Sequence, residues 1–181
     1  MADDTILCYD RAGQATAVPR ARLRFRPSVY GIAFTEDRSQ VLLTRERGSQ
    51  IWELPGGGVE IGETADAAII REYKEEVGLD ITLGPGVYFA DTFYYPGDDA
   101  PGEGWHNFQL FYLVHTRGPL DPHYEENPAA GSGNHGAGWA PVEELEGVDM
   151  LSTHYDAIQR AMHWLEATEG PAATDDADDD D

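Results

Sequence analysis

The sequence predicts an α/β fold in which helices cover both faces of a mixed β-sheet, an α/β/α sandwich. Three observations lead to this prediction. Strand-like runs precede a helical segment at residues 64–77, further strand-like runs follow it, and a second helical segment at 152–167 closes the fold. Helices alternating with strands on both sides are typical of a layered α/β domain with one sheet.

Residues 1–27 are predicted to form an N-terminal β-hairpin arm, because two short strand-like runs flank the turn-forming stretch "DRAGQ". An isolated hairpin is marginally stable in water. We therefore expect the arm to pack on the body of the protein or on a second subunit, which would make a homodimer.

The main domain is predicted to span residues 28–168. Its first strands are "SVYGIAF" and "SQVLLTRE", separated by the turn "TEDR", and "IWEL" is a third short strand that "PGGG" ends. Later strands are predicted at "GVYFADTFYY" and "FQLFYLVHT", and "GWAPVEEL" is predicted to be a short strand with a turn. Residues 169–181 form an acidic tail that lacks a core-forming pattern, so we expect it to be disordered.

Composition narrows the function classes. The net charge of −22 disfavours a general nucleic-acid-binding surface, because phosphate backbones repel it. It leaves open a small phosphate-bearing substrate held through metal ions. No apolar run reaches the roughly 18 residues of a membrane span, and the start of the chain lacks a basic signal-peptide region, so we expect a cytoplasmic protein. The acidity has two open interpretations, solubilising charge or adaptation to a salt-rich cytoplasm.

The single cysteine, Cys8, excludes an internal disulfide and any site built from several thiolates. We interpret it as a small buried apolar residue, which is the usual place of a free cysteine.

The helix at 64–77 carries an unusual cluster of acids, Glu72, Glu75 and Glu76, with Thr64 as a predicted N-cap and Gly78 as a C-terminal stop. Like charges three or four residues apart cost about 0.2–0.5 kcal/mol per pair. Acids in the last turn also oppose the helix dipole, at about 0.3–1 kcal/mol each. The acids lie along the edge of an apolar stripe formed by Ala65, Ile69, Tyr73 and Val77. A hard divalent cation such as Mg²⁺ would offset this repulsion, whereas a solvated acidic face is the alternative interpretation.

The stretch "GGVEIGETADAAIIREYKEEVGL", residues 57–79, resembles the Nudix box of the Nudix hydrolases. The positions in register are Gly57, Glu63, Arg71, Glu72, Glu75, Glu76, Gly78 and Leu79. One position departs, since Tyr73 stands where an aliphatic residue is usual. Tyr73 lies on the apolar stripe, so it can pack inward if its hydroxyl finds a partner.

This resemblance implies a metal-dependent hydrolase that uses Mg²⁺ or Mn²⁺. Glu72, Glu75 and Glu76 would be metal ligands together with the carbonyl of Gly56, and Glu72 or Glu76 would be the general base. Arg71 would orient the acids by pairing with Glu63 or Glu75, and Glu63 would support the site from behind the ligands.

Many relatives add an acid from outside the box. In the mutator-type members it directly precedes a late tryptophan, which here resembles Trp139, but the preceding residue is Gly138. Glu125 or Glu126 is a candidate replacement, and His135 is a candidate contact for phosphate or water. Solvated loop residues remain the alternative for all three.

The resemblance implies hydrolysis of a pyrophosphate bond in a nucleoside diphosphate linked to another group. ADP-ribose, a dinucleoside polyphosphate and a (d)NTP all remain open as substrates, since "FYYPGDD" fits more than one substrate marker. Five nearby aromatic residues could stack on a base or form strand core: Phe93, Tyr94, Tyr95, Trp105 and Phe108. A non-catalytic nucleotide sensor is a rival, although sensors usually lack box carboxylates. An isoprenyl diphosphate isomerase is another, although the cysteine it should need is absent from the middle of the chain.

Overall fold

The structure, a computed structural model, describes residues 4–45, 50–97, 100–120 and 136–170. Its strands and helices, in chain order, are β1 Thr5–Tyr9, β2 Ala15–Pro19, β3 Leu23–Ile32, β4 Gln40–Arg45, β5 Gly56–Gly58, α1 Ala65–Glu76, β6 Asp80–Tyr94, β7 Gly104–Arg117, β8 Gly136–Pro141 and α2 Ser152–Glu169. A short 3₁₀ turn follows β2, and a longer one spans Val142–Gly147.

Within these ranges, six strands form one sheet in the order β2-β1-β6-β7-β3-β5, while β4 and β8 form a two-stranded sheet. The large sheet is mixed, because β3 runs parallel to β7 and β1 parallel to β6, whereas the remaining pairs are antiparallel. The two sheets meet where Phe34 pairs with Val41, just beyond the end of β3. The predicted α/β/α arrangement with a mixed sheet is confirmed.

Strand β3 contributes side chains to the packing against both helices. Successive strand residues point to opposite faces. Tyr30 and Ile32 therefore join the cluster that contains α2, whereas Val29 and Ala33 join the cluster that contains α1. Helix α2 contributes Ala157, Ile158, Ala161 and Leu165, which recur at helical spacing and therefore share one face of the helix.

Helix α1 begins and ends as its sequence predicts. The Thr64 hydroxyl accepts a hydrogen bond of 3.2 Å from the N–H of Ala67, and Gly78 lies just past the helix with φ +69°. Tyr73 is fully buried, and its hydroxyl donates to the carbonyl of Gly31 at 2.9 Å. The departure from the usual aliphatic residue therefore costs no unsatisfied hydroxyl.

The prediction of a strand at "IWEL" was wrong. Residues 51–54 make isolated bridges, from Glu53 to Thr44 and from Trp52 to Met150, and the strand is formed by the glycines that follow. The glycines pair with β3 because they lack side chains: a Cβ at Gly56 would lie 2.2 Å from the carbonyl oxygen of Val29.

Strands β6 and β7 are longer than their apolar runs predicted. β6 starts at Asp80 and passes through "GPG" by means of register shifts between Leu83 and Tyr88, so the turn-like residues bend the strand without ending it. β7 starts at Gly104, where it already pairs with Leu23 of β3.

The N-terminal arm meets the body through β1. Tyr9 pairs with Tyr94 at the edge of the large sheet, and Cys8 is buried, with its Sγ only 2.7 Å from where a Cβ on Gly104 would lie. Strand β3 begins at Leu23 and passes through the proposed boundary at residue 27, so residues 23–27 lie in the central sheet. The homodimer stays a prediction.

The tail boundary also shifts. Helix α2 includes Glu169, which pairs with Arg38 at 2.6 Å, and the Gly170 carbonyl accepts from the same guanidinium at 2.8 Å. Residues 171–181 lie outside the described part of the chain, as do the loop candidates Glu125, Glu126 and His135. None of the described helices is long and apolar enough to cross a membrane.

Candidate active site

The glycine strand β5 and helix α1 form one wall of a cleft of about 650 Å³. They are joined at Gly56, whose N–H donates a hydrogen bond of 2.9 Å to Oε2 of Glu76. Gly56 has φ +148°, a conformation that side chains disfavour. The start of the glycine strand is therefore attached to the last turn of the helix.

Glu72 lies over the next glycine. A Cβ at Gly57 would come within 2.6 Å of Glu72 Oε1, so this carboxylate occupies the space that a side chain would fill. Only 14% of the Glu72 side chain is exposed, and its other contact is Arg71 Nη1 at 2.9 Å. Glu75 belongs to the same wall but is 59% exposed.

Arg71 connects the acidic residues. It donates from Nε and Nη2 to the two carboxylate oxygens of Glu63, both at 3.0 Å, and from Nη1 to Glu75 at 3.2 Å. Its Nη2 also donates to the carbonyl of Gly58 at 3.2 Å. The sequence left open whether Arg71 pairs with Glu63 or Glu75, and the structure contains both pairs.

The Arg71–Glu63 pair is a two-pronged charged interaction, the strongest geometry available to these groups. The hydrogen bonds from Arg71 are the main cause that lowers the pKa of Glu63 below its ordinary value. Hydrogen bonds to Glu63 and, next, to Glu72 raise the pKa of Arg71, so the guanidinium stays charged. Arg71 thus holds a positive charge between Glu63, Glu72 and Glu75.

The rest of the cleft lining carries cations, aromatic rings and amides. It includes Arg11, Arg26, Tyr30, Arg45, Glu53, Tyr94, Trp105, Asn107 and Gln109. Arg26 and Tyr30 lie on β3, beside the glycine strand, and Trp105, Asn107 and Gln109 lie on β7, the next strand of the sheet. Arg26 stacks over Trp105 at 4.7 Å and donates to the hydroxyl of Ser28 at 2.9 Å. The cleft lining therefore combines three arginines with four glutamates, Glu53, Glu72, Glu75 and Glu76.

Arg11, Arg26, Tyr30, Arg45, Asn107 and Gln109 line the cleft but were not predicted from the sequence. Alternation along "WHNFQ" places Trp105, Asn107 and Gln109 on one face of β7, a signal that could have found them. Arg11 had no such signal, because its place depends on how the arm docks.

Four of the five aromatic candidates lie in β6 and β7 and divide between the two faces of the sheet, whereas Tyr95 directly follows β6. Tyr94 and Trp105 line the cleft, with ring centroids 5.6 Å apart. Phe93 stacks on His106, and Phe108 packs against Phe89, away from the cleft lining. None of the five is fully buried, so neither interpretation from the sequence describes the whole group.

Gly138, which stands where the mutator-type members carry an acid, lies on β8 and pairs with Leu43 of β4.

The acidic wall fits a hard divalent cation in donor type, because every candidate ligand is a carboxylate or carbonyl oxygen. Within residues 4–45, 50–97, 100–120 and 136–170, no three His, Cys, Asp or Glu side chains converge closely enough to hold an ion. The carboxylate of Glu72 contacts Arg71, and that of Glu76 accepts from Gly56.

Comparison with known proteins shows the family to which the chain belongs. The family model described as NUDIX domain matches residues 24–165, most of the chain. The chain therefore belongs to the Nudix hydrolase family, as its box resemblance predicted.

Individual relatives are more distant. A segment of 56 residues is 46% identical to the RNA pyrophosphohydrolase of Marinomonas sp. (strain MWYL1), covering 31% of this chain and 34% of the relative. The match thus spans about a third of that curated protein.

Solved structures share the fold. A MutT Nudix hydrolase from Burkholderia pseudomallei is 23% identical with a TM-score of 0.55, over 76% of this chain and 98% of that one. An ADP-ribose pyrophosphatase from Streptococcus suis is 19% identical with a TM-score of 0.51, over 78% and 90%. At this level of identity, the likeness concerns the fold alone.

Proposed function

We propose that this protein hydrolyses a pyrophosphate bond in a nucleoside diphosphate linked to another group, in a metal-dependent reaction. The observation that carries the proposal is the cleft itself. Glu72 and Glu76 lie against the glycine strand, and arginines with aromatic rings line the same cleft. Acids suit metal binding, and arginines suit phosphoryl oxygens.

Glu72, Glu75, Glu76 and the carbonyl of Gly56 would hold Mg²⁺ or Mn²⁺. A bound divalent ion neutralises phosphoryl charge and lowers the pKa of water. Glu72 or Glu76 would take the proton from the attacking water. Arg71 and Glu63 position these acids without needing to contact the substrate, because Arg71 bonds Glu63, Glu72 and Glu75 together.

The cleft volume of about 650 Å³ falls within the range of small-molecule sites, roughly 300–1,000 Å³. Tyr94 and Trp105 offer faces on which a base can stack, and the neighbouring arginines can bind phosphoryl groups. These features favour a small nucleotide such as ADP-ribose, a dinucleoside polyphosphate or a (d)NTP.

A second candidate is the 5′-phosphorylated end of RNA, because the curated relatives are RNA pyrophosphohydrolases. The net charge of −22 weighs against a long nucleic-acid footprint. A nucleotide sensor without catalysis is less well supported, since the box carboxylates are all present.

The test is a substrate panel with purified protein and Mg²⁺ or Mn²⁺. It includes ADP-ribose, diadenosine tetraphosphate, dGTP and a 5′-triphosphorylated oligoribonucleotide, with released products separated by chromatography. We expect hydrolysis of at least one small nucleotide, lost on chelation of the metal. Binding without cleavage of any compound would favour the sensor, and cleavage confined to the oligoribonucleotide would favour the RNA end.

A further inference from the structure

We propose that Arg11, in the turn of the N-terminal hairpin, binds a phosphoryl group of the substrate in the cleft. This inference rests on the proposed function and adds a residue from outside the segment that matches the family, which begins at residue 24. The hairpin would then be part of the substrate site.

The hairpin is attached firmly enough to place a side chain. Strand β1 joins the sheet edge through the pair Tyr9–Tyr94, and the N–H of Tyr95 donates to the carbonyl of Tyr9 at 2.9 Å. Cys8 of β1 and Val18 of β2 are buried on the inner face of the hairpin. The turn has its own bracing, because Asp10 Oδ1 accepts hydrogen bonds from the backbone N–H groups of residues 12 and 14 at 2.9 and 2.8 Å. Arg11 therefore projects from a defined position.

The guanidinium of Arg11 reaches the cleft wall. Its Nη2 lies 2.9 Å from Oε1 of Glu53, and 31% of its side chain is exposed. Glu53 precedes Gly56 by three residues, and Gly56 in turn donates to Glu76. Glu53 and Gly56 both line the cleft, so the hairpin turn reaches the cleft lining just before the glycine strand.

The positive charge of Arg11 also affects the pKa of a buried residue, His154. Burial is the main cause that lowers the pKa of His154 to about 3, and the positive charge of Arg11 is a further cause. His154 packs against Tyr30, another residue of the cleft lining. Arg11 and Tyr30 both line the cleft.

The surroundings of Arg11 suit a nucleoside phosphate. Three arginines line the cleft, in a protein whose overall charge is strongly negative, and four glutamates line it with them. A phosphoryl group in a cleft lined by carboxylates needs compensating positive charge, and a guanidinium binds phosphate through two parallel N–H donors. Tyr94, beside the hairpin, adds an aromatic face to the same cleft.

The first test compares three variants with the parent on the best panel substrate. Arg11→Gln should raise KM by about ten- to hundredfold, the affinity of one charged hydrogen-bonded contact, with kcat changed by less than about threefold. Arg11→Lys should recover part of that loss, because it keeps the charge without the fork. Arg20→Gln is the control: Arg20 lies at the open end of the hairpin, pairs with Asp4 at 2.8 Å and is 63% exposed. It should match the parent.

The second test measures binding without turnover. ADP and Mg²⁺ are titrated into the parent and into Arg11→Gln, and amide hydrogen exchange of residues 9–15 is followed in the parent with and without ADP. We expect slower exchange in the turn on binding, and weaker ADP affinity in the variant. This measurement keeps the proposal testable even if Arg11→Gln folds poorly.

An unchanged KM in Arg11→Gln would overturn the role of Arg11. So would an amide hydrogen exchange rate in residues 9–15 that is the same with and without ADP. Loss of kcat and Tm together at constant KM would also overturn it, since that pattern indicates a purely structural clamp on Glu53. A parent that binds ADP but cleaves no panel compound contradicts the proposed hydrolysis alone. A parent that neither binds nor cleaves contradicts both.

Discussion

The backbone N–H of Gly56 donates a 2.9 Å hydrogen bond to the carboxylate of Glu76, twenty residues later in the chain. This bond joins the two places where the Nudix box resemblance puts metal ligands, a glycine strand and the end of helix α1. A single carboxylate therefore connects the glycine strand to the acidic cluster of helix α1.

Glu76→Gln should separate the catalytic role of the charge from its structural cost. The amide oxygen can still accept from Gly56, while repulsion with Glu72 and Glu75 is relieved. Without metal, the variant should be as stable as the parent or gain up to about 1 kcal/mol. With Mg²⁺, kcat should fall by about 10²–10⁴. Denaturant melts of the metal-free protein and steady-state kinetics give the two numbers.

Glu72→Gln should lose turnover on the same scale but gain less stability, because Glu72 forms an ion pair with Arg71 at 2.9 Å. If both glutamine variants turn over the best substrate within about threefold of the parent, well short of the effect of a lost acid–base group, the acids form a solvated face and no metal site.

Gly57→Ala should disturb the metal site more than the fold. A Cβ there would lie 2.6 Å from Glu72 Oε1, and a carboxylate on a flexible side chain can move away. We expect Mn²⁺ affinity, measured by titration, to fall about 10-fold or more, as when a ligand is wrongly oriented. Gly58→Ala is the matched control, because its nearest neighbour is Arg26 Nη2 at 3.4 Å. Equal affinities in the two variants would argue against Glu72 as a ligand.

Arg71→Lys should weaken metal binding although the charge is kept. Lysine cannot bridge both oxygens of Glu63 while also reaching Glu75, so the acids lose their common partner. A drop of about 10–100-fold in Mn²⁺ affinity is expected. Arg24→Lys serves as the control, since Arg24 makes an equally two-pronged pair with Glu103 on the surface. Comparable losses in both variants would contradict a site-specific role.

His154 should make stability fall as the pH drops below neutral. Its pKa is about 3 in the folded protein, chiefly because of burial, against about 6.5 when unfolded. The unfolded state therefore binds more protons between these values. The stabilisation from the neutral ring is complete above pH 6.5 and is lost as the pH falls toward 3.

Between pH 7 and pH 5, this group should remove about 2 kcal/mol from the free energy of unfolding. His154→Leu should lack that part of the pH dependence, although it also loses the hydrogen bond from the Leu54 N–H. Urea melts at the two pH values measure the difference. Equal pH dependence in the parent and the variant would contradict the assignment.

Deleting residues 171–181 should leave both Tm and turnover nearly unchanged at moderate salt, with a Tm shift below about 2 °C. The cut falls after Gly170 because Arg38 contacts both Glu169 and the Gly170 carbonyl. Deleting 169–181 is the comparison and should lower Tm further. A large loss from the shorter deletion would show that the tail docks on the fold.

Much of the acidic wall could be predicted from the sequence, because its pattern is local. The residue type of Thr64 predicts the N-cap. Helical periodicity over 12 residues predicts the apolar stripe and places the three glutamates along its edge. The spacing of the box residues likewise specifies which side chains share that helix edge. Interactions between residues close in the chain need no knowledge of distant contacts.

The positions of the cleft arginines and the formation of the glycine strand depend on tertiary structure. Gly56–Gly58 form a strand only because β3 lies beside them, and glycine propensity by itself predicts a break. Arg11 reaches the cleft because β1 docks at Tyr94, although the two residues are more than eighty positions apart. Such long-range pairings depend on the packing of the whole sheet, whose free energy is spread over many contacts, so no local pattern in the sequence encodes them.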